Sequence, residues 1–133
     1  MVHVGQILAE LAALSAGMLV VSETDAPLEV FAWPVPATFT PAAVLAVLDQ
    51  PADTKVEQVA LAQWFAPRMR EYPDQPAAER ALAQRFRDLA RWLETHLTDL
   101  QVLRIGTIEI STWIVGRTST GRIIGVTTQQ VET

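Results

Sequence analysis

Ser22-Glu23-Thr24-Asp25 sets two carboxylates and two hydroxyls in a turn closed by Pro27. A second oxygen-rich group stands where the sequence finishes, in the strand-like run Gly125-Val126-Thr127-Thr128-Gln129-Gln130-Val131-Glu132-Thr133. There the Glu132 carboxylate, the Thr133 hydroxyl and the terminal α-carboxylate are expected together. Hard oxygens of this kind suit Mg²⁺ or Ca²⁺, and a cluster of them imitates a phosphate at an electropositive site. Each group also has an ordinary structural reading. Ser, Thr and Asp side chains hold backbone N–H groups in turns, with Glu23 then merely solvated. The closing residues are then only the last strand of the fold.

Other chemistry-bearing residues do not converge. His3 and His96 stand alone, and a metal site needs three or four ligands. His96 falls in the last turn of a long helical pattern, where an imidazolium complements the helix dipole. Arg80, Arg87 and Arg91 form a stripe that Asp88 and Glu94 interrupt, as expected of a solvated helix face. A small hydrolase built on Glu23 and Asp25 would need a paired nucleophile, base or metal cluster, and the sequence offers none. Trp64, Trp92 and Trp113 read as core or near-core aromatics.

The whole chain bounds the function further. Its 133 residues, 50% of them hydrophobic, are expected to fold as one domain over residues 1–133. No cysteine is present, so neither a disulfide framework nor thiol chemistry enters. No basic segment leads into a long apolar run at the start, and no stretch approaches the roughly 20 apolar residues that span a bilayer. The expectation is a soluble, cytoplasmic protein that is monomeric when free, with no cofactor and no membrane contact. Net charge is −5, with ten basic and fifteen acidic residues. That balance disfavours nucleic-acid binding, which needs clustered Lys and Arg, and is compatible with a positively charged protein cleft.

Residues 4–16 carry Ile7, Leu8, Leu11 and Leu14 at helical spacing, with Gly17 as a stop. Residues 18–21 and 28–33 read as strands on either side of the acidic turn. Thr40-Pro41 is an N-cap with Pro at the first helical position, opening a helix to about residue 48. A strand over 56–61 and a short helix over 63–69 follow the Pro51-Ala52-Asp53 turn. The clearest helix spans 76–97, with Ala78, Leu82, Phe86, Leu89, Leu93 and Leu97 on its apolar face. Strands 101–105, 107–116 and 122–131 finish the chain, the last two joined through Thr118-Ser119-Thr120-Gly121, where Gly suits a left-handed turn position. Ile108, Ile110 and Ile114 fall on one alternating face, Trp113 and Val115 on the other. A sheet apolar on both sides needs cover on both, which argues for an α/β/α sandwich.

Two segments give these elements a relative. Gly17-Met18-Leu19-Val20-Val21-Ser22-Glu23-Thr24-Asp25-Ala26-Pro27-Leu28-Glu29-Val30-Phe31-Ala32-Trp33 resembles the N-terminal signature of the nuclease A inhibitor family: a helix end, a Ser-Glu-x-acidic-x-Pro loop, then Glu-Val-Phe-x-Trp. The last third is similar too, through Gln101-Val102, Arg104-Ile105-Gly106, Val115-Gly116-Arg117-Thr118, Gly121, Gly125 and Val131-Glu132-Thr133. The helix-rich middle matches only in pattern.

The resemblance implies a three-layer α/β/α sandwich around a mostly antiparallel, PR-1-like sheet. It also implies a catalytically inert protein that plugs the active site of a sugar-non-specific, Mg²⁺-dependent endonuclease. Under it, Glu23 approaches the nuclease's metal site, Asp25 adds negative potential, and Thr133, beside Glu132, reaches the hydrated Mg²⁺. Glu29 belongs to the sheet. The chain departs from the family around Arg68-Met69-Arg70-Glu71-Tyr72-Pro73-Asp74, where no Trp occurs, and between Trp33 and Thr40. Tyr72 is the substitute aromatic anchor, with Asp74 beside it, whereas Arg68 and Arg70 would meet a positive cleft unfavourably. The departure leaves room for an alternative: a regulatory binding protein of the same fold with another protein partner.

Overall fold

The computed structural model describes residues 3–34 and 38–132. Helix α1 (Val4–Ser15) buries Ile7 and Leu11, as their spacing predicts, and ends before Gly17. Strands β1 (Leu19–Val20) and β2 (Ala26–Pro27) pair antiparallel as a small separate sheet, with residues 21–25 as its turn. The two strands expected over 18–21 and 28–33 are therefore three. The chain folds back on itself at β2 before β3 (Glu29–Ala32) joins the main sheet.

Helix α2 (Pro41–Val47) opens as its cap residues predict, the Thr40 hydroxyl accepting the Ala43 N–H at 3.4 Å. Strand β4 (Val56–Val59) is shorter than expected. The helix expected over 63–69 is α3 (Leu61–Phe65), continued as a 3₁₀ turn over Ala66–Arg68. Pro67 has no N–H to continue an α-helical ladder, and the chain tightens there. Helix α4 (Ala77–His96) buries Ala83, Phe86, Leu89, Ala90 and Leu93. Ala78, expected on that face, is exposed, and Leu97 is buried from an extended residue just past the helix. Leu89 and Leu93 are fully buried, each contributing about 1.5–3 kcal/mol of apolar transfer.

The last three strands, β5 (Thr98–Ile105), β6 (Glu109–Arg117) and β7 (Ile123–Val131), form a meander in a five-stranded antiparallel sheet of order β3-β7-β6-β5-β4. β5 starts three residues earlier than its alternation indicates. A register shift between Thr98 and Gln101, with Asp99 at φ 53° paired to Arg117 at 3.2 Å, interrupts the period of two. Gly121, at φ 87°, makes the expected left-handed turn between β6 and β7.

Apolar cores lie on both faces of the sheet. Val102, Ile114, Ile124 and Val126 pack with Leu11, Trp64, Phe65, Phe86 and Leu89, which places α1, α3 and α4 on one side. Leu103, Val115 and Ile123 pack with Trp33, Phe39, Val44 and Leu45, which places α2 on the other. Ile108 departs from the expected face, because it precedes β6 in the turn after β5 and is exposed. Among the described residues, no helix is long and apolar enough to cross a membrane.

Candidate functional site

The acidic turn and the end of β7 are joined by hydrogen bonds. The Ser22 hydroxyl donates to the Thr24 carbonyl at 2.8 Å and accepts the Val131 N–H at 3.1 Å. The Glu23 N–H donates to the Val131 carbonyl at 3.4 Å. Val131 is the last paired residue of β7, opposite Glu109 of β6. The turn chemistry is therefore real, and Ser22 carries it. Glu23, Thr24 and Asp25 remain exposed. Glu29 lies in β3, opposite Thr127.

Glu132 continues the chain past β7. Its N–H donates to the Ile108 carbonyl at 2.9 Å, and its carboxylate accepts from Arg104 Nη2. Arg104, on β5, also donates through Nη1 to Glu57 Oε1 of β4 at 2.8 Å. Burial alone would lower the pKa of this guanidinium, but its bonds to Glu132 and Glu57 outweigh that and raise it. The Glu132 carboxylate is thus engaged within the protein. Thr133 lies outside the described residues.

Beneath this pair runs a buried polar thread. Gln130 Oε1 accepts from the Thr112 hydroxyl at 2.8 Å and from Trp64 Nε1 at 3.4 Å. Arg68 lies over the Trp64 ring, 3.7 Å from its centroid, and donates to the Trp64 carbonyl at 2.6 Å. Burial, then repulsion from Arg104, partly offset by Glu132, push the Arg68 guanidinium down to about 10, which leaves it charged at neutral pH. Arg68 is folded inward. The cation expected to face a partner is instead part of the scaffold, and Arg70 alone of that pair is exposed.

The middle loop approaches from the other side. Arg87 donates to Glu71 and, at 2.6 Å, to the Met69 carbonyl, which ties the loop to α4. Arg87 consequently leaves the solvated stripe expected of it, while Arg80 and Arg91 stay exposed. The Tyr72 N–H donates to Gln75 Oε1 at 3.1 Å, and the Tyr72 and Asp74 side chains are exposed. Val21, Pro67, Arg70, Tyr72 and Phe86 line a cavity of about 270 Å³ between this loop and β1. The loop therefore flanks the acidic turn.

Among the described residues, the exposed large hydrophobics are Leu19, Val21, Tyr72 and Ile108. Leu19 and Val21 lie on or next to β1, Tyr72 is on the middle loop, and Ile108 accepts the Glu132 N–H. An acidic centre with apolar side chains on three neighbouring segments has the make-up of a protein-binding surface. Three of these side chains and the residues Arg104, Glu57 and Gln130 were not picked out from sequence. One signal was present: Arg104 interrupts the apolar run Val102-Leu103-Arg104-Ile105, where a charge requires a partner.

His3 is exposed ahead of α1. His96 stacks on Trp92 with ring centroids 4.3 Å apart, and its Nδ1 lies 2.8 Å from the Trp92 carbonyl. Among the described residues, no three His, Cys, Asp or Glu side chains are grouped so as to hold a metal ion.

No curated protein matches the sequence. The sequence model of the nuclease A inhibitor-like protein family matches residues 5–133, nearly the whole chain, the middle included. The chain belongs to the nuclease A inhibitor-like family.

Proposed function

We propose that this protein inhibits a sugar-non-specific, Mg²⁺-dependent endonuclease by binding it 1:1 and filling its active-site cleft, with no chemistry of its own. The observation that carries this reading is the junction of Ser22 and Glu23 with Val131, which sets the acidic turn beside the end of the last strand. Glu23 then faces the nuclease's metal site and Asp25 adds negative potential. Tyr72 and Asp74 make contacts from the middle loop, and Thr133 approaches the nuclease's Mg²⁺. Mg²⁺ keeps most of its waters and accepts one or two such oxygens. Glu132, engaged with Arg104, supports this surface from within. The core on both faces of the sheet supports assignment to the three-layer, PR-1-like α/β/α sandwich. A cytoplasmic, monomeric free protein completes the reading.

Titration into a Mg²⁺-dependent non-specific endonuclease, with DNA and RNA as substrates, tests it. Cleavage of both should fall linearly to a break at one inhibitor per enzyme. Residues appended after Thr133 should cost at least about tenfold in inhibition, as expected when a buried contact is displaced, and the same residues ahead of Met1 should not. Absence of inhibition, with capture of another protein, would favour the regulatory binding protein. Equal potency of the two extended forms would remove Thr133 from the interface.

A further inference from the structure

We propose that Arg104 is the positioning residue of this surface: anchored by Glu57, it holds Glu132 and so fixes the end of β7 against the acidic turn. The proposal rests on the inhibitory reading above. The β6–β7 ladder closes at Glu109 opposite Val131, and one further backbone bond follows, from the Glu132 N–H to the Ile108 carbonyl. The next restraint among the described residues is a side-chain one, the Glu132 carboxylate on Arg104 Nη2.

Arg104 is suited to that task by its place in the sheet. β5 is separated from β7 by β6, so the guanidinium reaches across one strand to Glu132 while Nη1 bonds Glu57 on the neighbouring β4. A planar fork with fixed N–H directions holds two carboxylates in a set geometry, which an ammonium does not. The Arg104 side chain is 19% exposed, whereas Glu132 is 50% exposed, so the anchored end is the inner one. Arg68, stacked on Trp64, supplies a second positive charge nearby. Two guanidiniums and two carboxylates balance within the protein. Glu132 is thereby a strut, and Glu23 and Asp25 stay exposed on the turn that it supports.

Amide hydrogen exchange and inhibition, measured on Arg104→Gln, Arg104→Lys, Glu132→Gln and the Arg104→Gln/Glu132→Gln double variant, test this. Exchange at the Val131 and Glu132 amides should quicken by about tenfold or more in Arg104→Gln and Glu132→Gln, while the Ile114 and Val126 amides keep their protection. Arg104→Lys should recover only part of the effect. Inhibition should weaken in both single variants, and the double variant should be no weaker than either, because the two residues act through one contact. Unchanged exchange at Val131 and Glu132 would overturn the proposal. So would additive losses of inhibition, which would put Arg104 in direct contact with the partner. Glu132→Gln, altered at the exposed end, keeps the test available if Arg104→Gln does not fold. If the wild-type protein inhibits no nuclease, the functional reading fails, and the exchange measurement still decides whether Arg104 holds the end of β7.

Discussion

Ser22 directs its hydroxyl inward, to Val131 and Thr24, and Glu23 beside it is exposed. Under the proposed function, Ser22 holds the turn and Glu23 meets the partner. Glu23→Gln should leave melting almost unchanged, since surface substitutions usually shift stability by no more than about 0.5 kcal/mol. Its inhibition constant should rise by roughly 30-fold or more, because truncating a desolvated charge at an interface costs on the order of 2–5 kcal/mol. Equal inhibition in a titrated cleavage assay would reduce the turn to a turn. Gln130 shows the reverse pattern. Its buried Oε1 serves both Thr112 and Trp64, so Gln130→Leu leaves two donors without their acceptor, at about 1–3 kcal/mol each. Thermal denaturation should show a melting point several degrees lower.

At the scale of elements, β7 is the member on which the site depends, paired with both β3 and β6. Its fit is tightest at Gly125, which lies opposite Phe31 and Val115. A Cβ added there would stand 1.8 Å from the Ile114 carbonyl oxygen and 3.2 Å from the Phe31 ring, so backbone would have to move. Gly125→Ala should destabilise by at least the roughly 1–3 kcal/mol typical of overpacking. Chemical denaturation would measure it, and a loss under about 0.5 kcal/mol would mean that the two strands separate easily. The middle loop is held differently, by Arg87 on α4 through Met69 and Glu71, without a strand ladder.

The whole molecule carries a net charge of −5, and Asp88 and Glu94 fall within the arginine stripe of α4. Of the arginines that an opposite reading would use, Arg68, Arg87 and Arg104 are committed to internal contacts. Free DNA should therefore give no gel shift at moderate salt. A robust shift with a steep salt slope would instead point to nucleic-acid binding. Inhibition should show the complementary behaviour. Raising ionic strength should slow association with a positive cleft through screening and alter dissociation far less, as stopped-flow titration would show. An association rate indifferent to salt would argue that the exposed apolar side chains, and not the carboxylates, guide the encounter.

Local chemistry was enough to order the elements. Helical spacing in α1 and α4, the Thr40-Pro41 cap, the turn at Gly121 and the alternation of β6 and β7 each report interactions within a few residues. The need to cover both faces of the sheet followed from the same alternation. The family resemblance directed attention to Glu23 and Thr133, because each falls in a short run of matching residues. Where local signals mislead, a local cause is visible: Pro67 converts a helix end to a 3₁₀ turn, and the irregularity at Asp99 hides the start of β5. The site's internal contacts had no such signal. Ser22 meets Val131 across 109 positions, Trp64 meets Gln130 across 66, and Arg104 meets Glu57 across 47. Periodicity states which side of a strand a residue occupies, but not which strand lies next to it. Only the strand order brings Arg104 within reach of Glu132 and turns Arg68 inward, because burial and charge pairing are decided after distant segments have met.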